Sequence, residues 1–243
     1  MLVSGAQALK ASRQVSEAEP VVLTAPPARF VSRGGIKLEA ALDEFGLNPT
    51  GVQCLDVGSS TGGFTDCLLQ RGAREVVAID VGVGQLHERL RSDQRVRSYE
   101  RLHVRDVAMS AAGGKYSLIV VDVSFISLTA ITAYLLELVA GQGDLVLLVK
   151  PQFEAGRQVV SKGRGIVRDR RVWSDVLITV AEHLAAHGAA VMGVIPSPIT
   201  GAQGNVEFLM WARVAAVPPA PIEVLVEAAL ARLAIIEPDT GGS

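Results

Sequence analysis

The stretch Leu55-Asp56-Val57-Gly58-Ser59-Ser60-Thr61-Gly62-Gly63-Phe64 joins an apolar strand to a glycine-rich turn and then to the start of a helix. Glycines in such a turn let the backbone pass close to a ligand, and an acidic residue beside them can meet cationic or hydroxyl groups. The same order of strand, turn and helix is typical of doubly wound α/β folds that bind nucleosides. The alternative interpretation is a tight strand-to-helix turn without a ligand.

The central part of the chain alternates short apolar runs with longer amphipathic segments. Strands are predicted at residues 52–57, 75–79, 96–99, 118–121, 145–149, 190–194 and 206–212, and helices at residues 64–71, 85–92, 128–139 and 172–186. Parallel strands joined by crossover helices produce this alternation. The sequence therefore predicts a doubly wound α/β sheet.

Both ends of the chain differ from this central part. Short strand-like segments at residues 2–5 and 20–23 precede a proline-interrupted stretch. Near the other end, three prolines and one alanine at residues 218–221 precede a last helix, which is predicted at residues 222–235. The predicted divisions are a small β-rich region at residues 1–24, a linker at 25–31, a main domain at 32–217, and a C-terminal helix with a frayed tail at 218–243.

The composition indicates one substantial folded domain. Hydrophobic residues make up 49% of the 243 residues, which is too many for a disordered chain. Lys and Arg number 23 against 25 Asp and Glu, so the formal net charge is −2. This balance argues against a protein that coats nucleic acid by bulk positive charge, and any nucleic-acid contact must be local.

Cysteine, histidine and hydropathy patterns narrow the class of protein. Cys54 and Cys67 are too few for a disulfide framework, so we expect buried free thiols in a reducing cytoplasm. His183 and His187 have a possible ligand spacing but lack a third ligand nearby, so no metal is expected. No basic region leads into an apolar one at the N-terminus, and charges such as Glu137 interrupt the most apolar stretches, which disfavours secretion and membrane spanning.

Asp80 follows the next predicted strand, 22 residues beyond Gly58. Doubly wound folds place a carboxylate there to bind a ribose diol, so the two features together indicate a nucleoside cofactor. The spacing G-x-x-x-G-G departs from the dinucleotide fingerprint, and no Gly-Lys-Ser/Thr follows as a P-loop requires. Asp106, after the third strand, is a candidate for the adenine end of the cofactor or else a helix N-cap before Val107.

Four charged residues mark a candidate active site, because ligands of doubly wound sheets bind at the carboxyl ends of the strands. Asp122 and Lys150 come directly after apolar strands. Lys37 lies just inside a helix that is predicted to run to about Phe45, and Glu207 lies within the last predicted strand, where a carboxylate needs partners. Taken singly, each residue also has a simpler interpretation as a solvated side chain or a strand cap.

Five segments of the chain resemble the TlyA family, whose members are often labelled hemolysins and which is similar to the FtsJ-type RNA ribose 2′-O-methyltransferases. The segments are Val31 to Leu38, Asp56 to Phe64, Asp122 to Leu128, Val149 to Glu154 and Gly204 to Glu207. The pattern D-x-G-x-x-T-G-G-F in the second of them is similar to motif I of class I S-adenosylmethionine-dependent methyltransferases. The resemblance implies a Rossmann-like sheet of about seven strands with the last one antiparallel.

The resemblance also implies roles for individual residues. It assigns a catalytic tetrad to Lys37, Asp122, Lys150 and Glu207, and it implies methylation of a cytidine ribose 2′-hydroxyl in ribosomal RNA with S-adenosylmethionine as cofactor. The expected cofactor contacts come from the glycine turn and the acidic strand ends, which are Asp56, Gly58, Ser60, Thr61, Gly62, Gly63, Phe64, Asp80, Asp106 and Asp122.

The tetrad suits a ribose hydroxyl, which is too weakly acidic to ionise at neutral pH. A lysine acts as a base only where neighbouring positive charge or burial favours its neutral form. Lys150 is the candidate that takes the proton, while Lys37 supplies that charge or holds the ribose. Asp122 and Glu207 orient the lysines and the ribose. Much of the catalysis is expected from alignment of oxygen, methyl and sulfur.

Basic residues are concentrated in two segments. Residues 157–171 carry six basic residues and several glycines directly after the Lys150 strand, which predicts a mobile loop that contacts RNA phosphates. Residues 89–105 interleave arginines with acidic residues and favour a solvated face. Few aromatic residues accompany either segment, so no stacking platform for bases is expected. The candidate RNA-binding residues are Arg33, Arg157, Lys162, Arg164 and Arg168.

Two features depart from the family pattern, and two other functions stay open. Family members usually begin with an alpha-L (S-four-type) RNA-binding domain, of which residues 1–24 resemble only the strands, and His103 stands where the family often has Asn. The hemolysin label suggests a membrane-lytic protein, which the hydropathy pattern disfavours. The second alternative is an RNA-binding or ribosome-assembly factor that keeps the cofactor-binding fold but does not catalyse methyl transfer.

Overall fold

The N-terminal region forms a small antiparallel sheet. The computed structural model describes residues 2–4, 6–7, 14–16, 18–22, 28–156, 163, 165–214 and 221–236. Within these residues, the strands Leu2–Val3 (β1), Ala6–Gln7 (β2) and Val21–Val22 (β3) pair in the order β2-β1-β3. The strand-like segments at the N-terminus are therefore strands, although shorter than predicted.

A larger sheet forms the centre of the fold. Its strands are Gln53–Val57 (β4), Glu75–Ile79 (β5), Val96–Tyr99 (β6), Tyr116–Val121 (β7), Val139–Val149 (β8), Ala189–Pro196 (β9) and Phe208–Val214 (β10). The strand order is β6-β5-β4-β7-β8-β10-β9, and β10 is antiparallel to both of its neighbours. The expected doubly wound α/β sheet with an antiparallel last strand is confirmed.

Helices pack on both faces of this sheet. They are Gly34–Phe45 (α1), Gly63–Gln70 (α2), Glu88–Arg91 (α3), Thr132–Leu138 (α4), Pro151–Glu154 (α5), Arg170–Ala186 (α6) and Ile222–Ile236 (α7), with 3-10 turns at Val104–Met109, Leu128–Ala130 and Ala202–Gly204. Leu38 of α1 and Leu68 of α2 belong to the core on one face, and Leu135 of α4 and Leu177 of α6 to the core on the other. The central strands are mostly apolar because both of their faces are buried.

The position of Glu207 differs from the prediction. The strand predicted at residues 206–212 begins at Phe208, so Glu207 precedes β10 instead of lying within it. Because β10 runs against its neighbours, its first residue Phe208 pairs with Val149, the last residue of β8. This register brings Glu207 to the same edge of the sheet as Lys150.

Two local predictions were wrong because histidine side chains cap the segments concerned. The helix predicted at residues 85–92 is shorter because the ring of His87 accepts a hydrogen bond from the backbone N–H two residues on and begins α3 there. His103 caps the 3-10 turn at residues 104–109 in the same way. Asp106 therefore lies inside that turn and is not an N-cap.

The loops that follow β4 and β7 are in close contact at Gly58. The backbone N–H of Asp122 donates to the carbonyl of Val57 at 2.9 Å. Gly58 has a φ of +81°, and a Cβ at this position would collide with the carbonyl oxygen of Asp122. Glycine is therefore required here both for the left-handed backbone and for the close approach.

We expect Gly58→Ala to lower the free energy of unfolding by more than the roughly 1–2 kcal/mol that a left-handed backbone costs a non-glycine residue, because the new methyl group also meets Asp122. Gly46→Ala is the matched control, since Gly46 has a φ of +65° and no atom of the described residues within 4 Å of its Cβ position. Equilibrium urea unfolding measures both variants. Equal losses would contradict the contact with Asp122.

Candidate active site

A cavity of about 790 Å³ at the carboxyl edge of the main sheet is lined by all four residues of the predicted tetrad. Lys37 comes from α1, Asp122 follows β7, Lys150 follows β8 and Glu207 precedes β10. We name this cavity the lysine cleft. The fold thus brings together residues as far apart in the chain as the 170 positions between Lys37 and Glu207.

Each lysine of the lysine cleft is paired with its own carboxylate. Lys37 Nζ forms a salt bridge with Glu207, and Lys150 Nζ lies 2.5 Å from Asp122 Oδ1. Both lysine side chains are only 10% exposed. Buried pairs of this kind lose their hydration and add little net stability, whereas removal of one partner leaves an uncompensated charge. The cleft therefore balances two cations with two anions.

Lys150 has a second polar partner in Ser124. Its Nζ donates a hydrogen bond to Ser124 Oγ at 3.0 Å and lies 5.8 Å from the centre of the Phe153 ring. An ammonium group donates three hydrogen bonds. Asp122 and Ser124 use two of them, and the third has no partner within the described residues. The amine is therefore oriented by the protein but retains one direction for a ligand.

The turn before β10 is built to hold the carboxylate of Glu207. A Cβ at Gly201 would displace that carboxylate, so the glycine leaves room for it. Asn205 is buried; its Nδ2 donates to the carbonyl of Gly165 at 3.0 Å and its Oδ1 accepts from the N–H of Val167 at 3.1 Å. The run Gly204 to Glu207 thereby joins the acid of the tetrad to the segment before α6.

A second cavity of about 410 Å³, the Asp80 cavity, adjoins the lysine cleft, and both are lined by Gly58, Ser60 and Asp122. The Asp80 carboxylate accepts hydrogen bonds from the N–H groups of Ser60 at 2.8 Å and Gly82 at 2.7 Å. Apolar side chains form much of the remaining wall, among them Val81, Val104, Ile126 and Ile131. A fixed carboxylate beside an apolar wall fits the ribose and the base of a nucleoside cofactor.

The glycine turn contains residues that face the lysine cleft and residues that support it. Ser60, Thr61, Gly63 and Phe64 line the cleft. Gly62 has a φ of +95°, and a Cβ there would collide with α3. Gly62 is therefore needed for packing behind the turn, and it does not form part of either cavity wall.

Asp56 lies beneath the glycine turn and lines neither cavity. It is completely buried, and its Oδ2 accepts a hydrogen bond from Thr65 Oγ1 at 2.6 Å, while its Oδ1 has no partner in the described part of the chain. Burial raises the pKa of Asp56 to about 7, against the lowering effect of the hydrogen bond from Thr65. The carboxylates of Asp122 and Asp80 raise it further. Asp56 thus supports the turn from below instead of meeting a ligand directly.

Asp106, a predicted cofactor contact, is not among the residues that line the Asp80 cavity. Its exposed carboxylate pairs with the neighbouring Arg105. His103 and Val104, which cap and begin the 3-10 turn, line the cavity instead. The wall at this end of the cavity is therefore formed by an imidazole and an apolar side chain, and not by the predicted acid.

Two of the five candidate RNA-binding residues lie in the described part of the chain. Arg33 lines the lysine cleft, whereas the exposed Arg168 borders a different cavity. Arg157, Lys162 and Arg164 lie outside the described residues. In the second basic segment most arginines pair with carboxylates, which agrees with a solvated face; the pairs are Arg89–Asp66, Arg95–Asp93, Arg97–Glu75 and Arg105–Asp106.

Sequence reasoning missed an aromatic platform at the lysine cleft. Phe125 is 91% exposed, has a φ of +67°, and its ring centre lies 5.0 Å from that of Phe153. Gln152 lines the same cleft, with a buried Oε1 that has no partner among the described residues. The expectation of no stacking platform considered only the basic segments, so it did not address this pair of rings. The signal was a Phe in the run Ser124-Phe125-Ile126-Ser127, shortly after Asp122.

The remaining histidines and cysteines do not assemble into a further site in the described ranges. No group of three potential metal ligands occurs there. The rings of His183 and His187 lie 4.7 Å apart, and His187 Nδ1 lies 2.8 Å from the carbonyl oxygen of His183. Cys54 and Cys67 are buried free thiols, and burial raises the pKa of each to about 12. None of the helices in these ranges is long and apolar enough to cross a membrane.

The buried carboxyl group of Asp56 makes stability depend on pH. Its pKa is about 7 in the folded chain against an ordinary 3.8, so the folded state keeps a proton that the unfolded state loses. This stabilisation is complete below about pH 4 and falls by about 4 kcal/mol as the pH rises through 7. We expect urea unfolding at about pH 5 and about pH 8 to show a smaller fall in Asp56→Asn than in the wild type. Equal falls would contradict a protonated Asp56.

Comparison with known proteins agrees with this geometry. Residues 30–214 match the FtsJ-like methyltransferase family. The chain is 42% identical over 212 residues to the 16S/23S rRNA (cytidine-2'-O)-methyltransferase TlyA of Mycobacterium tuberculosis. This alignment covers 87% of this chain and 79% of that protein. A solved structure of a candidate hemolysin from Streptococcus thermophilus superimposes with a TM-score of 0.79 at 42% identity, over 87% of this chain and 78% of that one. An S-adenosylmethionine dependent methyltransferase from Mesorhizobium loti shares the fold at 15% identity, with a TM-score of 0.53 over 72% of this chain and 96% of that one. The chain therefore belongs to the FtsJ-like methyltransferase family.

Proposed function

We propose that the chain transfers a methyl group from S-adenosylmethionine to a ribose 2′-hydroxyl of ribosomal RNA, with cytidine as the acceptor nucleotide and the cytoplasm as the place of action. The observation that carries the proposal is the Lys150 amine, which is held by Asp122 and Ser124 in a cleft that adjoins the Asp80 cavity. The name of the Mycobacterium tuberculosis relative supports the choice of substrate.

The cofactor is assigned to the Asp80 cavity and the glycine turn. S-adenosylmethionine supplies, when bound, a methyl group on a positively charged sulfur. Asp80 binds the ribose hydroxyls, and the apolar wall around Val104 and Ile131 encloses the adenine. Ser60 and Thr61 of the turn face the lysine cleft, where they meet the amino-acid part of the cofactor. The nearby carboxylates also favour a cationic ligand.

Lys150 takes the proton of the 2′-hydroxyl while the oxygen–carbon bond forms and the carbon–sulfur bond breaks. In its neutral form the amine keeps its two N–H groups on Asp122 and Ser124 and directs its lone pair into the cleft. Lys37, fixed by Glu207, binds the acceptor ribose or its phosphate. Because the methyl group is already reactive, much of the rate comes from holding oxygen, carbon and sulfur in line.

The rim of the lysine cleft suits an unpaired nucleotide of RNA. Proteins that read single-stranded RNA stack its bases on aromatic side chains and bind its phosphates with basic ones. The exposed ring of Phe125, backed by Phe153, offers such a stacking face, and Arg33 offers a cation on the same cleft. A ribose whose base is stacked at the rim brings its hydroxyl toward Lys150.

The first test measures methyl transfer from labelled cofactor to ribosomal subunits and maps the 2′-O-methyl groups. We expect Lys150→Ala to lower kcat by about 10²- to 10⁴-fold, as for loss of a general base. Cofactor affinity is expected to change by less than about threefold, because Lys150 does not line the Asp80 cavity. Lys115→Ala is the control, since this exposed lysine only donates to the carbonyl of Glu137.

Three outcomes would contradict the proposal in different ways. Cofactor binding without any label in RNA would favour a silent ribosome-assembly factor. Loss of both transfer and cofactor affinity in Lys150→Ala would move this lysine to the cofactor site. Leakage of liposomes at submicromolar protein would favour the membrane-lytic function that the hemolysin label suggests.

The second test addresses the aromatic platform. Base–aromatic stacking contributes about 1–3 kcal/mol, so we expect Phe125→Ala to raise the KM for RNA by about 5- to 150-fold. Met109→Ala is the matched control, because Met109 is 94% exposed and lines neither cavity. Steady-state kinetics with ribosomal subunits measures both variants. A Phe125→Ala chain whose KM equals that of Met109→Ala would rule out stacking on this ring.

A further inference from the structure

Glu154, the last residue of α5, makes contacts that the proposed chemistry does not use. Its Oε1 accepts a hydrogen bond from the N–H of Leu128 at 2.9 Å, and its Oε2 accepts one from Ser127 Oγ at 2.5 Å. Burial raises the pKa of Glu154, while these two hydrogen bonds favour its charged form. Glu154 borders a separate cavity of about 250 Å³ and does not line the lysine cleft. Its carboxylate is therefore engaged with the protein and not with the reacting groups.

Three contacts join the segment at residues 122–128, which follows β7, to the segment at residues 150–154, which follows β8. At the sheet end, Lys150 pairs with Asp122, and in the middle the Phe153 ring packs on Phe125. At the far end, Glu154 holds Ser127 and Leu128. Because the contacts occur in the same order along both segments, loss of the last one removes the hydrogen bonds that hold the far end of the 122–128 segment.

Val123, Ile126 and Leu128 pack against the core, but the backbone between them lacks regular secondary structure. Residues 122–127 form neither helix nor strand. Phe125 has a φ of +67°, a left-handed backbone that is unfavourable for a residue with a side chain and persists where surrounding contacts enforce it. The contact made by Glu154 begins two residues further on, which is close enough to enforce that conformation.

We propose that Glu154 is a positioning residue for methyl transfer, an inference that rests on the proposed function. By holding Ser127 and Leu128 against α5, its carboxylate keeps Asp122 and Ser124 at the Lys150 amine. The same contact keeps the Phe125 ring at the lysine cleft. Glu154 acts through these residues and does not itself touch the substrate or the cofactor.

The 3-10 turn at residues 128–130 does not depend on Glu154. Ser127 Oγ accepts a hydrogen bond from the N–H of Thr129 at 3.2 Å, and Thr132 Oγ1 donates to the carbonyl of Leu128 at 2.9 Å. Both contacts remain when Glu154 is replaced. We therefore expect Glu154 variants to fold with the turn intact and the segment before it released.

The test compares Glu154→Ala with Glu154→Gln in the full chain. We expect Glu154→Ala to lower kcat by about 10- to 100-fold, as for a small misplacement of reacting groups, with cofactor affinity within about twofold of the wild type. In Glu154→Gln the amide oxygen accepts from Leu128 and the amide N–H₂ donates to Ser127 Oγ, so kcat is expected within about threefold of the wild type. Glu137→Ala, which changes an exposed acid of α4, is the control.

A second readout does not depend on activity. We expect hydrogen exchange of the Leu128 amide, measured without cofactor, to be at least about tenfold faster in Glu154→Ala than in the wild type, while the Asp122 amide is unchanged. If Glu154→Ala does not fold, Ser127→Ala replaces it and is expected to lower kcat by about 3- to 10-fold. If the wild type is active, an unchanged kcat in whichever of these two variants folds would overturn the positioning role. Unchanged hydrogen exchange of the Leu128 amide would also overturn it. A wild type that methylates no RNA would overturn the proposed function instead.

Discussion

The arrangement of the lysine cleft depends on one antiparallel strand. Because β10 runs against its neighbours, its first residue pairs with the last residue of β8, and Glu207 and Lys150 extend from this pair at the same edge. A parallel β10 would carry Glu207 to the opposite edge of the sheet and leave Lys37 without its carboxylate. Since an unpaired charge at a site this buried costs far more than a paired one, the pairing of Lys37 with Glu207 depends on this strand direction.

The charge around the two cavities explains how a chain with a net charge of −2 can hold both a cation and a polyanion. The lysine cleft is balanced internally, so it neither repels a phosphate nor attracts one strongly. Asp80 gives the cofactor side an acidic character that suits a sulfonium. Arg33 adds positive charge on the cleft side. Segregation over short distances therefore matters more than the average.

Features that depend on local order could be predicted from the sequence, and features that depend on tertiary contact could not. Asp122 and Lys150 were found because a charge directly after an apolar strand lies at the ligand edge of any doubly wound sheet. Phe125 and Gln152 were missed because a single sequence does not show that a Phe is exposed or that an amide oxygen is buried without a partner. The alternative interpretation of Asp106 as an N-cap was wrong because the side chain of His103, three residues earlier, caps the turn.

Within the proposed mechanism, Asp122 is the residue that links the two halves of the reaction, because it alone of the four tetrad residues lines both cavities. Its carboxylate holds Lys150, and its backbone lies against Gly58 of the cofactor turn and bonds to Val57. A shift of Asp122 would therefore move the base and the cofactor turn together. In-line transfer needs the acceptor oxygen and the sulfur aligned across one methyl group, which tolerates errors of only a fraction of an ångström. Because Asp122 contacts both the lysine and the glycine turn at the end of one strand, it can keep these two parts of the site in a fixed relative position.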